Sequence, residues 1–379
     1  MPMVRTLLPF FFALACGLAQ ALELVITIPV ETRGLKVAGV SDTFKTWQEM
    51  LGQAQGARST LDIEQFYISH KPGEPMEPIL GQIRNAAASG TRVRLIVDKT
   101  FLKNEPSSAT ILADTENIEV RILDYAKIAG GVQHSKYFIV NGSDAYLGSA
   151  NFDWRALKHI HETGIRTQDP HLVSSLAAVF EKDWARAVPT GTFRFKNTPK
   201  SRSTIARAGN DLLAVSPISD GIKSAPSTIE GMLKLIASAK NTVQLQTMDY
   251  TTKLYGSQAS YTDLQKALIE AAKTKTVQLL VDKTKSKQDG LAELARNGVE
   301  VRTVEFPEHS GGPIPYARLI HSKYLIVDGE SFWIGTDNMT GSYYHGSRGV
   351  GVLSSDAAVA PLLEKTFLNL WKSSYSKPL

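Results

Sequence analysis

The sequence predicts an α/β protein built from two duplicated α/β/α sandwich lobes, each with a mixed central sheet. Two observations predict this fold class. The halves of the 379-residue chain repeat one another, and within each half short β-branched runs alternate with helical patterns. The composition agrees, because 43% hydrophobic and 21% charged residues are typical of a globular protein and exclude a largely disordered or fibrous chain.

The repeat consists of four segments that recur in the same order. The last two recur at an offset of 187 residues, far longer than the ~20–50 residues of a solenoid repeat, so each copy is predicted to be a whole lobe. The segments, first copy then second, are VRLIVDKT at 93–100 and VQLLVDKT at 277–284, IEVR at 118–121 and VEVR at 299–302, HSKY at 134–137 and again at 321–324, and GSAN at 148–151 and GTDN at 335–338.

The predicted first lobe covers residues 22–188 and the second covers residues 211–379. Between them, residues 189–210 are polar and basic with little apolar periodicity, which indicates a linker. In the lobes we expect strands at 60–67, 93–97, 242–248 and 277–281, and helices at 77–88, 171–184, 263–273 and 357–371.

The first 21 residues are predicted to be a signal peptide. One positive charge, Arg5, precedes an apolar run at 7–18, and the tripeptide AQA at 19–21 supplies small residues for cleavage. A transmembrane helix is the weaker interpretation, since this run spans only about 18 Å. A lipoprotein signal ending at Cys16 is the other alternative. We therefore expect an exported protein, periplasmic or secreted in a bacterium and extracytoplasmic otherwise.

Cys16 is the only cysteine, so cleavage after Ala21 leaves a mature chain with none. Disulfides and thiolate metal sites are then excluded, and stability must come from the hydrophobic core. The net charge of +5, of which Arg5 supplies one, is a mild basic excess that favours anionic surfaces or substrates.

A hairpin signal follows the HSKY segment in each half. Asn-Gly at 141–142 and Asp-Gly at 328–329 favour two-residue type I′ turns, which need positive φ at both positions. Such a loop places His134 opposite Ser149, and a bulge would shift this register.

Because side chains alternate along strands, each half then presents an imidazole, an ammonium, a hydroxyl and a carboxamide on one face. This combination suits an anionic tetrahedral group: Lys and Asn hold nonbridging phosphoryl oxygens, the hydroxyls bind the phosphate, and two imidazoles divide the roles of nucleophile and general acid. The sets are His134, Lys136, Ser149 and Asn151 in the first half, and His321, Lys323, Thr336 and Asn338 in the second, with His321 opposite Thr336.

We predict no metal and no cofactor. Each motif histidine has a lysine on the same face, which repels a cation, and these strands supply no carboxylate beside the histidines. The segment His159-Ile160-His161-Glu162 invites a metal interpretation, but no third set of ligands accompanies it. The repeated Asp98 and Asp282 end strands, where salt bridging or turn formation is the expected role.

The repeated motif resembles that of the phospholipase D superfamily. His-x-Lys, four residues and then Asp, followed by Gly-Ser/Thr-x-Asn, is present in both halves, beginning at His134 and His321. Residues 148–155 with Glu162 downstream, residues 335–344, and IPVE at 28–31 are similar to the branch of lysosomal phospholipase D-like single-stranded exonucleases and poxvirus envelope phospholipases.

The resemblance implies two lobes packed about a pseudo-twofold axis, with their His-Lys patches joined in one site. One histidine attacks phosphorus to give a phosphohistidine, and the other protonates the leaving alcohol and then activates water or an acceptor alcohol. By analogy, His134 is the nucleophile and His321 the acid. In related proteins a carboxylate orients the histidine; Glu162 matches it, whereas its counterpart in the second half is Gly349, which favours His134 as the supported nucleophile.

The sequence departs from the motif at Asn141, where the pattern has Asp, as at Asp328. If this residue mainly builds the turn, Asn-Gly serves as well as Asp-Gly and activity survives. If it must carry charge, the first half of the site is impaired. We favour the role in the turn.

The predicted reaction is metal-independent cleavage or transfer of a phosphodiester. The leading hypothesis is a phospholipase D-type hydrolase or transphosphatidylase acting on glycerophospholipids, which entails peripheral contact with a membrane. The alternative is an exonuclease for single-stranded DNA or RNA. A third hypothesis, a noncatalytic lipid- or protein-binding module, is supported only by Asn141. The sequence leaves the oligomeric state open.

Overall fold

The computed structural model describes residues 22–191, 211–257 and 259–379. The predicted signal peptide with Cys16 and most of the predicted linker, residues 192–210, lie outside the described residues. Within the described ranges, no helix is both long and apolar enough to cross a membrane.

The first half of the described chain contains eleven strands and four α-helices. The strands are Leu22–Thr27 (β1), Ser41–Asp42 (β2), Thr60–Gln65 (β3), Ile68–Ser69 (β4), Arg92–Asp98 (β5), Ile118–Leu123 (β6), Tyr137–Val140 (β7), Asp144–Gly148 (β8), Phe152–Asp153 (β9), Glu162–Thr167 (β10) and Val188–Pro189 (β11). The helices are Thr43–Gly52 (α1), Met76–Ala88 (α2), Tyr125–Ala129 (α3) and Pro170–Trp184 (α4).

The described part of the second half contains ten strands and five α-helices. The strands are Leu212–Ser216 (β12), Thr242–Thr247 (β13), Tyr250–Thr251 (β14), Thr276–Asp282 (β15), Glu300–Val304 (β16), Tyr324–Val327 (β17), Ser331–Gly335 (β18), Met339–Thr340 (β19), Gly349–Ser354 (β20) and Ser376–Pro378 (β21). The helices are Thr228–Ser238 (α5), Asp263–Ala272 (α6), Leu291–Arg296 (α7), Gly341–Gly346 (α8) and Val359–Trp371 (α9).

Each half forms one large mixed sheet, as the predicted fold class requires. The first sheet has the order β11-β6-β5-β3-β7-β8-β10-β1-β2, and the second has the order β12-β20-β18-β17-β13-β15-β16-β21. In both, three parallel strands lie beside an antiparallel hairpin: β3, β5 and β6 beside β7–β8, and β13, β15 and β16 beside β17–β18. Strand β5 is buried along its whole length, as expected for a central parallel strand covered on both faces. The four predicted strands and four predicted helices are confirmed, with ends shifted by at most two residues.

Helices cover the sheets on both sides and join the two lobes. Helices α1 and α2 pack on one face of the first sheet, where Trp47 and Ile79 meet Ile63 in one apolar cluster. Helix α4 contacts β6 and β7 of its own lobe and β12 of the other, and helix α9 contacts β17 of its own lobe and β1 of the other. A single core therefore spans both lobes. Helices α4 and α9 occupy equivalent places on the two sides of a pseudo-twofold axis, and each packs against both lobes.

The predicted hairpins are present, but the predicted register is wrong by one residue. Asn141 and Gly142 have φ of 54° and 64°, and the Ser143 amide donates to the Val140 carbonyl at 3.1 Å, as in a type I′ turn. Ser143 itself stays outside the ladder, so Val140 pairs with Asp144 and the loop has three residues. The second hairpin has the same extra residue, since Val327 pairs with Ser331.

Candidate active site

The two HSKY segments meet where the lobes touch. The amide of His134 donates to the Arg348 carbonyl at 2.9 Å, and the amide of Arg348 donates to the Val132 carbonyl at 2.9 Å. The second lobe repeats this pairing, since the amide of His321 donates to the His161 carbonyl at 2.9 Å. Each motif histidine is thus held by a backbone bridge to the opposite lobe.

The four basic side chains of the motifs share one buried site. His134 is 4% exposed, His321 is 9% exposed, and Lys136 and Lys323 are completely buried. Burial, together with the charges of Lys136, Lys323 and His321, holds the pKa of His134 well below its ordinary value. The histidine of the first lobe therefore lies within electrostatic reach of both basic groups of the second.

Glu162 orients His321, not His134. Nδ1 of His321 lies 3.0 Å from each carboxylate oxygen of Glu162, and the Ser149 hydroxyl donates to the same carboxylate. Burial and Lys323 lower the pKa of His321, while Glu162 opposes the fall. Burial alone would raise the pKa of Glu162, but His321, Lys323 and Ser149 lower it overall, so Glu162 is ionised.

His134 has a different partner for its ring. Its Nδ1 lies 2.9 Å from the Thr336 carbonyl, which can only accept, so Nδ1 carries the hydrogen and Nε2 of the neutral ring has a free lone pair. The expectation that Glu162 supports His134 as nucleophile is wrong. It failed because the hydrogen bond crosses between lobes, which the comparison of the two halves did not reveal.

The two motif lysines are fixed by their own segments. Nζ of Lys136 donates to the His134 carbonyl at 2.7 Å, and Nζ of Lys323 donates to the His321 carbonyl. Burial lowers the pKa of Lys136 well below its ordinary value, and Lys323 lowers it further. Burial lowers the pKa of Lys323 to about 8, against the opposing charges of Glu162 and other carboxylates. Two ammonium groups in one buried site favour a bound anion.

The motif asparagines have unpartnered acceptors. Nδ2 of Asn338 donates to Asp249 at 3.1 Å and to the Tyr343 hydroxyl at 3.3 Å. The side-chain oxygens of Asn151 and Asn338 are buried and, among the described residues, have no hydrogen-bond partner. A buried amide oxygen without a partner is costly, so each of these oxygens is available to accept a hydrogen bond from a hydroxyl or water, whereas an anionic oxygen could be held only by the Nδ2 groups.

The motif hydroxyls are engaged within the protein. Besides bonding Glu162, Ser149 accepts from the Thr163 amide at 3.0 Å, and Thr336 accepts from the Val350 amide at 3.0 Å. In the observed register Ser149 is no longer opposite His134, and both hydroxyls bond to groups of the neighbouring strand. Their predicted contact with phosphate stays a prediction.

The turn residues of the motif lie at the far end of each hairpin from the histidines. Asp328 accepts from three backbone amides, those of Lys240, Asn241 and Thr242, at 2.7–2.8 Å. Asn141 adopts the same positive φ as Asp328, and its side-chain oxygen accepts from the Thr60 amide at 3.1 Å. Asn141 therefore builds the same turn and ties it to the neighbouring strand, in agreement with the favoured interpretation of this departure.

The repeated strand-end aspartates have a role that sequence reasoning missed. Asp98 accepts from the Gln133 amide at 2.8 Å, and Asp282 accepts from the Ile320 amide at 3.0 Å. Each carboxylate thus holds the residue immediately before a motif histidine. Their repetition was visible in the sequence, but a link across 35 or 38 residues was not.

Two cavities flank the site. One, of about 590 Å³, is lined by Asn151 and His321 together with Tyr67, Phe101 and Tyr316. The other, of about 550 Å³, is lined mainly by aliphatic and aromatic groups, among them Phe66, Leu254, Tyr255 and Tyr343. The rings of Phe66 and Tyr343 also pack against His134, at centroid distances of 4.9 and 4.7 Å.

The two extra histidines do not converge on an ion. His159 packs against the rings of Trp154 and His309, whereas Nδ1 of His161 lies 2.9 Å from the Ser322 hydroxyl. Within residues 22–191, 211–257 and 259–379, no group of three or more His, Cys, Asp or Glu side chains is placed to hold a metal ion.

Comparison with known proteins agrees with this geometry. The family model described as "Cardiolipin synthase, PLD-like domain" matches residues 49–184 and 232–371. The virion nicking-joining enzyme of vaccinia virus (strain Western Reserve) is 29% identical over 93% of this chain and 88% of its own. Phospholipase D Z of Dictyostelium discoideum is 25% identical over 96% and 92% of the two chains. The human 5'-3' exonuclease PLD3 is 28% identical over 88% and 76%.

A solved structure shares the two-lobed fold. Phosphatidylserine synthase of Haemophilus influenzae superposes with a TM-score of 0.63 at 13% identity, over 95% of this chain and 88% of its own. At this identity the likeness shows the fold alone. The family match covers well over half of the chain, and both motifs lie in the matched residues. The chain therefore belongs to the phospholipase D superfamily of phosphodiesterases, with relatives in the branch of the poxvirus and exonuclease proteins.

Proposed function

We propose that this protein is a metal-independent phosphodiesterase of the phospholipase D type that works through a phosphohistidine. The observation that carries the proposal is the meeting of His134 and His321, one from each lobe, in one buried site with Lys136 and Lys323. Two imidazoles and two ammonium groups supply a nucleophile, an acid and charge for the phosphoryl oxygens.

His134 is the nucleophile in this proposal. Its pKa is held lower than that of His321, because it has several cationic neighbours and no carboxylate, so it is the ring that is neutral first. Nε2 of His134 attacks phosphorus and forms the P–N bond. His321, whose imidazolium Glu162 stabilises, gives its Nε2 proton to the leaving oxygen as the P–O bond breaks.

The second step restores the enzyme. Nε2 of His321, now neutral, takes a proton from water or from an acceptor alcohol. The oxygen attacks phosphorus, the P–N bond breaks, and the electron pair returns to His134. Lys136, Lys323 and the Nδ2 groups of Asn151 and Asn338 donate to the phosphoryl oxygens in both steps, and Ser149 keeps Glu162 oriented.

Glycerophospholipids are the substrates we propose. The cavity beside His134 has a mostly apolar lining, including Phe66, Leu254 and Tyr343. A phosphatidyl group joined to His134 would place its glycerol and the first part of its acyl chains there, while the headgroup leaves past His321 into the other cavity. Reaching a membrane lipid requires peripheral contact of the protein with the membrane.

The alternative is a single-stranded nucleic-acid exonuclease with the same chemistry. Tyr67 and Phe101 line the cavity at His321 and are stacked with a centroid distance of 4.6 Å and an interplanar angle of 24°. Half-buried aromatic rings that line a cavity in this way can stack bases. A relative with exonuclease activity in its name, PLD3, supports this alternative.

One experiment tests the reaction and compares the substrates. Mature protein in EDTA is given phosphatidylcholine vesicles and, in parallel, 5′-labelled single-stranded DNA. We expect choline release, and its loss in both His134→Ala and His321→Ala. Turnover that persists in both variants would show that these histidines do not form the active site. Digestion of DNA without choline release would support the nuclease alternative.

Matched variants separate the two cavities. Leu254→Asn makes the apolar cavity polar and is expected to reduce turnover of vesicles more than turnover of DNA. Phe101→Ala removes the stacked ring beside His321 and is expected to reduce turnover of DNA more than that of vesicles. Equal effects of both variants on both substrates would leave neither cavity with the proposed selectivity.

We also propose that the protein is exported. The support is the leader at residues 1–21, with its apolar run and small residues before position 22. N-terminal sequencing of the protein recovered from its natural compartment is expected to begin at Leu22. A chain that retains Met1 and stays in the cytoplasm would contradict the proposal.

A further inference from the structure

The two lobes carry a carboxylate at different members of one pair of equivalent positions. In the first lobe, Ala150 follows the motif Ser149 and a glutamate stands at position 162. At the same offset of 187 residues, the second lobe has Asp337 and Gly349. Each lobe therefore has one carboxylate in this pair of positions: Glu162 is at the start of β10, whereas Asp337 lies two residues after the end of β18.

The two positions face each other across neighbouring strands. In the second lobe Gly335 pairs with Gly351, and the Thr336 amide donates to the Val350 carbonyl at 3.0 Å. Continuing that register by one pair brings Asp337 opposite Gly349. The first lobe has the same register, since the Ser149 amide donates to the Thr163 carbonyl at 2.9 Å.

Asp337 occupies the space that a side chain at 349 would fill. A Cβ built on Gly349 would lie 1.7 Å from Oδ1 of Asp337 and 2.4 Å from its carboxyl carbon. No side chain fits at 349 while the aspartate is there. The glycine that interrupts the motif resemblance is therefore explained by the carboxylate that replaces it.

The carboxylate is buried and only half satisfied. Asp337 is completely buried, and its Oδ2 accepts from the Ser216 hydroxyl at 2.7 Å. Its Oδ1 has no hydrogen bond of normal geometry among the described residues, although the Thr228 hydroxyl is a second neighbour that favours the ionised carboxylate. A buried carboxylate oxygen without a well-formed hydrogen bond is costly.

One of the charges that act on Asp337 is that of Lys136 in the active site. Burial raises the pKa of Asp337 to about 6, whereas the Ser216 and Thr228 hydroxyls and the charges of Lys136 and Arg348 favour its ionised form. Conversely, Lys136 has three carboxylates that favour its ammonium form, namely Glu162, Asp337 and Asp98, and one cation, Lys323, that opposes it. The Phe66 ring lies 5.2 Å from Nζ of Lys136.

We propose that Asp337 is a positioning residue of the active site. It is the second lobe's counterpart of Glu162, but it stabilises the Lys136 ammonium, whereas Glu162 bonds a histidine ring. This arrangement leaves His134 without a carboxylate, which suits a nucleophile that must be neutral. The carboxylates of Glu162 and Asp337 then both favour the ammonium forms of Lys136 and Lys323. This inference rests on the proposed function of the site.

The test uses the chromogenic diester bis(p-nitrophenyl) phosphate with the full mature chain. Asp337→Asn removes the charge and keeps an oxygen for Ser216. Ser216→Ala removes the hydrogen bond and keeps the charge.

We expect Asp337→Asn to lower kcat about 10- to 100-fold with little change in KM, less than the loss of a group that touches the developing charge. Ser216→Ala is expected to stay within about threefold of wild type. A merely structural aspartate predicts a different result, in which Ser216→Ala is as damaging as Asp337→Asn.

A second measurement does not depend on turnover. Side-chain NMR of Lys136 follows its titration, and Asp337→Asn is expected to move the midpoint to lower pH while Ser216→Ala leaves it in place. An unchanged midpoint in Asp337→Asn overturns the inference. Failure of the proposed function looks different, because wild type would then match His134→Ala and His321→Ala in releasing no nitrophenol, whatever Lys136 does.

Discussion

Nδ1 of His321 lies 3.0 Å from both oxygens of Glu162, although the two residues belong to different lobes. A carboxylate in this position fixes the tautomer of the ring and stabilises its protonated form. His134, by contrast, is oriented by the carbonyl of Thr336, which carries no net charge. The two histidines of a duplicated site are thereby made chemically unequal.

Glu162→Gln is expected to lower kcat about 10- to 100-fold. Glu162 raises the pKa of His321, so its loss reduces the fraction of His321 that is protonated at a given pH. The alkaline limb of the pH–rate profile is therefore expected to move to lower pH. Glu270→Gln, at an exposed position on α6, is the matched control, and an alkaline limb that stays in place would contradict the assigned role of Glu162.

The pH–rate profile of wild type is expected to be bell-shaped with its optimum below pH 6.5. His134 must be neutral and His321 protonated, and burial lowers the pKa of both from the ordinary value of 6.5. Since the fall is greater for His134, a window exists between the two in which both rings are in the required state. Measurement of kcat/KM from pH 4 to pH 9 checks this, and a continuous rise toward pH 9 would exclude it.

Arg348→Met is expected to lower the free energy of unfolding by about 3–5 kcal/mol. The guanidinium is completely buried, with contacts of 2.6 and 3.0 Å to Asp183 and 2.6 Å to Asp220. Its removal leaves the buried Asp183 carboxylate with Arg186, at 4.0 Å, in place of two close hydrogen-bonded contacts. Denaturant unfolding measures the loss, and Asp183→Leu/Arg348→Met is expected to recover part of it; a loss of less than about 1 kcal/mol would show that the pair contributes little.

Asn141→Asp is expected to change kcat by no more than about twofold. The residue builds a turn at the end of the hairpin remote from the histidines, and Asp328 builds the equivalent turn with the same φ of 54°. Asn141→Leu is the contrasting variant, expected to cost about 1–2 kcal/mol of stability because a leucine is strained at positive φ. A gain of tenfold or more in kcat for Asn141→Asp would show that the motif needs a charge here.

The sequence predicted those parts of the fold that depend on local patterns. Strand β5 lies where a continuous apolar, β-branched run placed it, and helix α4 lies where its apolar periodicity placed it. The hairpin register failed because one residue, Ser143, lies outside the ladder while the turn keeps its type I′ geometry. Nothing in the dipeptide Asn-Gly distinguishes these two loop lengths.

The sequence predicted which residues form the site but not which of them are hydrogen-bonded to one another. Repetition singled out His134 and His321, yet Glu162 was given to the wrong ring, since its hydrogen bond joins residues 159 positions apart. In the sequence, Asp337 stands only at a variable position within a motif. Its significance depends on the absent side chain at Gly349, which becomes visible when both are placed in space.

The backbone bridges at His134 and His321 bear on how two copies of one lobe can diverge. Each copy supplies the backbone segment that holds the other copy's histidine. Neither half alone therefore contains all the contacts that position its own histidine. A substitution near one of these bridges therefore acts on the histidine of the other half. A chain that lost either half would keep one motif but lose the backbone contact that positions the histidine of that motif.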